Sequence, residues 1–266
     1  MATTTSLDGT IIGYDARGKG PALVIVCGAT QFRATAPALA KLAELPSDGF
    51  TVITYDRRGR GESNDTQPYA VEREIQDIAA LIAAAGGRAS LLGYSSGAVL
   101  AIEAAAAGLP VDRVIAYEPP FVLEGSGFPP PAPDYVETLD RFTAAGDRSA
   151  AAAYFMSSVG MPPDAIEGMK ATPFWRAMES VAPTIAYDGR IMTGAYYTAG
   201  LFPERWQRIT VPVLVANGDA SIPFMPAAAE AVAMALPDAS RAVLPGQGHG
   251  PAPEAFAPVI RGFLRA

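Results

Sequence analysis

Leu91-Leu92-Gly93-Tyr94-Ser95-Ser96-Gly97-Ala98-Val99-Leu100-Ala101 is the stretch on which the fold turns. Leu91-Leu92 reads as the end of a buried strand and Ala98 onward as the start of a helix, with a Gly-x-Ser-x-Gly turn between them. A strand-to-helix turn this sharp strains the serine backbone, exposes its hydroxyl above the sheet and puts a helix N-terminus where negative charge would develop. The bare pattern arises by chance in a chain with 26 glycines, so its weight comes from the strand before it and the helix after it.

Working outward, Ala22–Val26 and Phe50–Tyr55 are continuous apolar runs, the pattern of strands buried on both faces of a parallel sheet. Thr3 to Asp15 holds two β-prone stretches around Asp8-Gly9, a hairpin signal. Ser90–Gly93, Arg113–Tyr117, Val211–Ala216 and Arg241–Leu244 are further short strands. Helical patterns separate the strands at Ala36–Leu45, at Val71 onward (Val71, Ile75, Ile78, Ile82, stopped by Gly86-Gly87), at Ala98–Ala107 and at Ala227–Leu236. Strands alternating with helices predict βαβ units and a mainly parallel sheet.

One interval breaks the rhythm. Pro119 to Thr210 is a connection of roughly ninety residues, far beyond an ordinary βα loop. After the proline-rich Phe128–Pro133 it carries helical segments and large apolar residues, among them Phe155, Met156, Met161, Phe174, Trp175, Met178, Met192, Tyr196, Tyr197, Phe202 and Trp206. The expected organisation is a core domain of residues 1–118 and 211–266 with a helical lid, 119–210, inserted over the carboxyl ends of the strands. Most of the lid's apolar residues should form its own small core and a minority should face the cleft.

The bulk composition bounds the chemistry. A chain of 266 residues, half of them hydrophobic and 18% charged, suits one large α/β unit. The net charge of −7 makes nucleic-acid binding a poor expectation. No stretch reaches the ~20 apolar residues that span a bilayer, and Met1–Ser6 lacks the features of a signal peptide, so a cytoplasmic protein is the expectation. Cys27 is the only cysteine and His249 the only histidine, which excludes intramolecular disulfides and metal sites built on several His or Cys ligands. No phosphate-binding or dinucleotide-binding glycine motif sits between a strand and a helix, and no cofactor is expected.

A lone histidine is most often structural. His249, however, lies in the small-residue loop Gly246-Gln247-Gly248-His249-Gly250, after the last strand and before the final helix. Its neutral imidazole can take the Ser95 proton and return it to a leaving group.

At this point the chain resembles the α/β-hydrolase superfamily over essentially its whole length. Asp56-Arg57-Arg58-Gly59-Arg60-Gly61-Glu62-Ser63 looks like the loop that many members write D-x-R-G-x-G-x-S, and Cys27-Gly28-Ala29 stands where they carry a His-Gly-x oxyanion loop. The resemblance implies an eight-stranded, mostly parallel sheet flanked by helices, Ser95 as nucleophile, His249 as base, and the Ala29 and Ser96 backbone N–H groups as oxyanion donors. Cys27 departs from the frequent histidine; it is expected to behave as a small hydrophobe. The usual position of the family's acid falls on Ser221, with Asp219 two residues early. Some branches, such as haloalkane dehalogenases and fungal zearalenone lactonases, carry the acid after the preceding strand, where this chain has Glu118. Glu118 is the favoured acid and Asp219 the alternative. A serine nucleophile, rather than the aspartate of dehalogenases and epoxide hydrolases, suits acyl transfer.

The expected activity is therefore hydrolysis of a carboxylic ester or lactone of a medium-sized apolar substrate, with Gly28, Tyr94, Trp175, Met156 and Tyr197 among its contacts. The alternatives are perhydrolysis, C–C cleavage or cyclisation by the same triad, or a non-catalytic binding protein of the same fold. The sequence carries no clear signal of oligomeric state.

Overall fold

The computed structural model describes residues 1–44, 49–192 and 202–266. Eight strands form one sheet: β1 (Ala2–Thr5), β2 (Ile11–Gly18), β3 (Ala22–Val26), β4 (Thr51–Tyr55), β5 (Ala89–Tyr94), β6 (Val111–Tyr117), β7 (Val213–Gly218) and β8 (Ala239–Leu244). Their spatial order is β1-β2-β4-β3-β5-β6-β7-β8. β1 and β2 pair antiparallel, β2 runs antiparallel to β4, and every pairing from β4 to β8 is parallel.

Ten α-helices accompany the strands among the described residues: α1 (Pro37–Glu44), α2 (Val71–Ala84), α3 (Ser96–Ala106), α4 (Tyr135–Ala144), α5 (Arg148–Ser158), α6 (Pro163–Met169), α7 (Pro173–Val181), α8 (Ile185–Met192), α9 (Met225–Met234) and α10 (Pro253–Arg265). The period-2 alternation of the strands divides the core in two. Val24, Val26, Leu91, Val114 and Val215 pack on one face with Leu81 of α2, Leu100 of α3 and Val232 of α9. Leu23, Ile25, Leu92, Ile115 and Leu214 pack on the other with Leu39 and Leu42 of α1 and Phe256 and Ile260 of α10. β8 closes the sheet as an edge strand whose residues are largely exposed, so the rule of strands buried on both faces stops at β7.

Most element boundaries move by a residue or two from the sequence reading, and two of these shifts bear on the site. β7 begins at Val213, because Pro212 lacks an N–H for the ladder, and runs on to Gly218 rather than stopping at Ala216. α3 begins at Ser96, directly after the serine at the turn. Leu45, expected at the end of the first helix, lies outside the described residues.

The long connection between β6 and β7 carries α4 to α8. Tyr135 and Leu139 of α4, Ala151 of α5, and Ala182, Ile185 and Ala186 form one small core there; Met156, Ile166, Trp175 and Met178 form another. Phe202 and Trp206 leave that segment and pack against the sheet's own core beside Phe121. No helix among the described residues is long and apolar enough to cross a membrane.

Candidate active site

The site lies where the order of the strands reverses. From β3 the chain crosses to β4 on one side, and β5 then pairs on the other, so the loops after β3 and β5 diverge and leave a crevice at the carboxyl edge. Cys27-Gly28-Ala29 follows β3, Ser95 follows β5, Glu118 follows β6, Asp219 follows β7, and the His249 loop follows β8. Every residue singled out for acid–base or nucleophilic chemistry thus comes from one row of strand ends.

Ser95 has φ 55° and ψ −126°, outside the usual regions for a side chain with a Cβ. Its N–H donates to Tyr117 O at 2.9 Å, and its carbonyl accepts from Ala98 N at 2.9 Å, so strand and helix hold the turn from both sides. Among the described residues the other non-glycine positions with positive φ are Thr30 (64°) and Glu118 (48°). All three strained residues sit at this edge, the pattern of backbone strain held at a working site by over-determined surroundings.

Glu118 is fully buried. Its Oε1 accepts from Gly218 N at 2.9 Å, and its Oε2 accepts from Ser221 Oγ at 2.8 Å and lies 2.6 Å from His249 Nδ1. A carboxylate can only accept, which places the imidazole proton on Nδ1 and leaves Nε2 to take a proton from a hydroxyl. Tyr117 Oη donates to Gly248 O at 2.6 Å and steadies the histidine loop from the neighbouring residue. Gly218 lets that loop approach: a Cβ there would lie 2.0 Å from Gln247 O. Asp219 points elsewhere, its Oδ1 accepting from Gly246 N at 2.5 Å in the turn that leads to the histidine. The structure brings Glu118, not Asp219, to the imidazole.

A cavity of about 710 Å³ opens over these groups, lined by Ser95 and His249 together with Gly28, Ala29, Tyr94 and Ser96. Phe155, Met161, Phe174, Met178 and Met192 line it from the segment between β6 and β7. Two expected contacts need correction. Trp175 and Met156 do not line the cavity; both are buried in that segment's own core, where Trp175 Nε1 donates to Ser149 Oγ at 2.9 Å and to Glu179 Oε1 at 3.1 Å. Their faces of α5 and α7 point toward neighbouring helices, which helical spacing without a tertiary partner could not reveal. Tyr197 lies outside the described residues. Cys27 is buried beside the site among apolar neighbours, and that burial pushes its thiol up to about 12.

Sequence reasoning missed the polar layer beneath the cavity. Arg57, Arg58 and Arg60 are all buried. Arg57 holds Glu74 through two hydrogen bonds, at 2.7 and 2.6 Å, and Arg58 holds Asp77 the same way, at 2.8 and 2.7 Å. Arg57 and Arg60 both also reach Asp188 of α8 at 2.5 Å. Burial alone would raise the Asp188 carboxyl, but the two guanidiniums and the Ser96 hydroxyl outweigh it and leave the group below the ordinary aspartate value. The arginine-rich loop was visible in the sequence, but Asp188 lies more than a hundred positions away and carries no local signal.

The sequence profile described as the alpha/beta hydrolase family matches residues 23–260. A solved alpha/beta hydrolase from Sphaerobacter thermophilus is 45% identical and superposes with a TM-score of 0.89, covering 99% of this chain and 100% of its own. The 2-(acetamidomethylene)succinate hydrolase of Mesorhizobium japonicum is 30% identical over 248 residues, 88% of this chain and 83% of that protein. The N-formylmaleamate deformylase of Pseudomonas putida is 36% identical over 135 residues, and the match spans only about half of either protein, 47% of this chain and 48% of the other.

Proposed function

The chain belongs to the alpha/beta hydrolase family, and from that premise we propose that it is a serine hydrolase that cleaves a neutral, medium-sized apolar carboxylic ester or lactone. The observation that carries this reading is the 2.6 Å contact of His249 with buried Glu118, on the same cavity as a serine at a strained strand-to-helix turn.

In the proposed reaction Ser95 Oγ attacks the substrate carbonyl and passes its proton to His249 Nε2. Glu118 keeps the imidazole in the required tautomer and stabilises the cation that forms. The Ala29 and Ser96 N–H groups meet the developing oxyanion, each such donor contributing roughly 10²- to 10³-fold in rate. The imidazolium then protonates the leaving alcohol, and water, activated by the same base, releases the acid and restores Ser95. The inserted helices α4 to α8 act as the lid over this cavity.

Support for a neutral substrate is electrostatic. No Lys or Arg side chain lines the cavity among the described residues, and residues 45–48 and 193–201 contain neither. Asp188, which touches the cavity, is already matched by Arg57 and Arg60. The relatives named above carry a maleamate and a succinate in their names. A carboxylate bound in this cavity would lose its hydration with no cation to replace it.

The test is intact mass after exposure to a fluorophosphonate, followed by hydrolysis of p-nitrophenyl butyrate and of its analogue with a terminal carboxylate. A single adduct on the wild type, none on Ser95→Ala, and preference for the neutral ester are the expected results. Folded wild type without an adduct would overturn the serine reading, and preference for the charged ester would overturn the substrate class.

A further inference from the structure

The buried charges beneath the cavity are arranged around the backbone that this reading of Ser95 needs. Asp188 is 5% exposed and sits on α8, outside the sheet and its strand-end loops. Its Oδ1 accepts from Arg57 Nη1 at 2.5 Å and from Ser96 Oγ at 2.6 Å, and its Oδ2 accepts from Arg60 Nη2 at 2.5 Å. The same guanidiniums reach onward to the loop after β3. Arg60 Nη1 donates to Gly28 O at 2.7 Å, and Arg57 Nη1 donates to Cys27 O at 3.3 Å.

Gly28 O and the Ala29 N–H belong to one peptide unit. In a trans peptide the carbonyl and the N–H point in opposite directions. A guanidinium that fixes Gly28 O therefore aims the Ala29 N–H the other way, and the charge-assisted bond polarises the unit so that its N–H becomes a stronger donor. Arg57 is already neutralised by Glu74, whereas Arg60 has Asp188 as its one ion-pair partner among the described residues. Without that carboxylate, Arg60 would be a buried charge without a counter-ion and would have every reason to leave Gly28. Asp188 also touches the residue that supplies the second N–H, through the Ser96 hydroxyl.

We infer that Asp188 is a positioning residue for the oxyanion hole, holding the Ala29 donor through Arg60 and the Ser96 donor through its side chain. The inserted helical segment then completes the catalytic apparatus as well as covering it. This inference rests on the serine mechanism proposed above.

The test compares inhibition by an aliphatic trifluoromethyl ketone with inhibition by the matching methyl ketone, on the full chain. With the fluorinated compound, Ser95 Oγ forms a bond to the carbonyl carbon, the carbonyl π pair moves to oxygen as an oxyanion, and the serine proton goes to His249. The methyl ketone binds largely without that step, so the ratio of the two inhibition constants reports the oxyanion hole separately from the pocket. Asp188→Asn should weaken trifluoromethyl ketone binding by about 10- to 100-fold, up to the range seen when one oxyanion donor is removed. Methyl ketone binding should stay within about twofold, and kcat for the ester should fall with KM little changed. Equal weakening of both ketones, or an unchanged ratio in folded Asp188→Asn, would overturn the assignment. Should that variant not fold, Arg60→Lys takes its place: one ammonium lacks the guanidinium's fork to hold both Asp188 and Gly28 O, and it must show the same selective loss. A wild type that does not prefer the fluorinated ketone removes the serine mechanism and this inference with it, whereas a preference kept by both variants removes only the role of Asp188.

Discussion

Glu118 and Asp219 are both acids at the ends of adjacent strands, and their surroundings set them apart. Glu118 is buried, accepts from Gly218 N and Ser221 Oγ, and meets His249 Nδ1, whereas Asp219 is exposed and serves the turn at Gly246. Ser221, which stands in the register where most of the family keeps its acid, donates to Glu118 instead, so both strand ends still serve one carboxylate. Replacing Glu118 by Gln puts an amide N–H₂ or a weaker acceptor against the imidazole and loosens its tautomer. Glu118→Gln should lower kcat by about 10³- to 10⁴-fold on a p-nitrophenyl ester, while Asp219→Asn stays within about tenfold. Near-wild-type turnover in Glu118→Gln would remove it from the proposed triad.

Helix α3 and strand β3 meet at the element scale with no space to spare. A Cβ on Gly97 would lie 2.3 Å from Val26 O and 2.5 Å from Cys27 O, both backbone atoms that cannot move without shifting β3. Gly97→Ala must therefore push the start of α3 away from the sheet and carry Ser95 with it. The expected cost is about 1–3 kcal/mol of stability, read as a lower denaturation midpoint, together with slower fluorophosphonate labelling. Labelling at the wild-type rate would mean that the turn tolerates the shift.

Across the whole molecule, Asp8 ties the first hairpin to the loop and helix after β4. It accepts from Thr10 N at 3.0 Å, from Arg58 Nη1 at 3.0 Å and from Arg73 Nη1 at 3.2 Å. Burial would raise its carboxyl, but the Thr10 and Arg58 contacts outweigh that and hold it at about 2, below the value of 3.8 for an unperturbed aspartate. A folded-state value below the unfolded one contributes stability that is present above about pH 4 and is lost as the pH falls toward 2. Asp8→Asn should accordingly be less stable than wild type in urea at pH 7, with a gap that narrows between pH 4 and pH 2. A gap that does not change with pH would show that the contribution of Asp8 does not depend on its charge.

The sequence by itself determined the sheet, the serine turn and the histidine loop, because each is written in contiguous residues. Apolar runs such as Ala22–Val26 fix buried strands, and a Gly-x-Ser-x-Gly between strand and helix has few other conformations open to it. Glu118 could be favoured over Asp219 but not separated from it, since both end a strand and only the three-dimensional path of the histidine loop distinguishes them. Trp175 against Phe174 was decided by tertiary packing alone: neighbours on one helix divide between core and cavity according to what lies opposite. The Asp188 network was decided there too, because its strength comes from burying opposite charges together across more than a hundred positions of chain, and no local pattern encodes such an encounter.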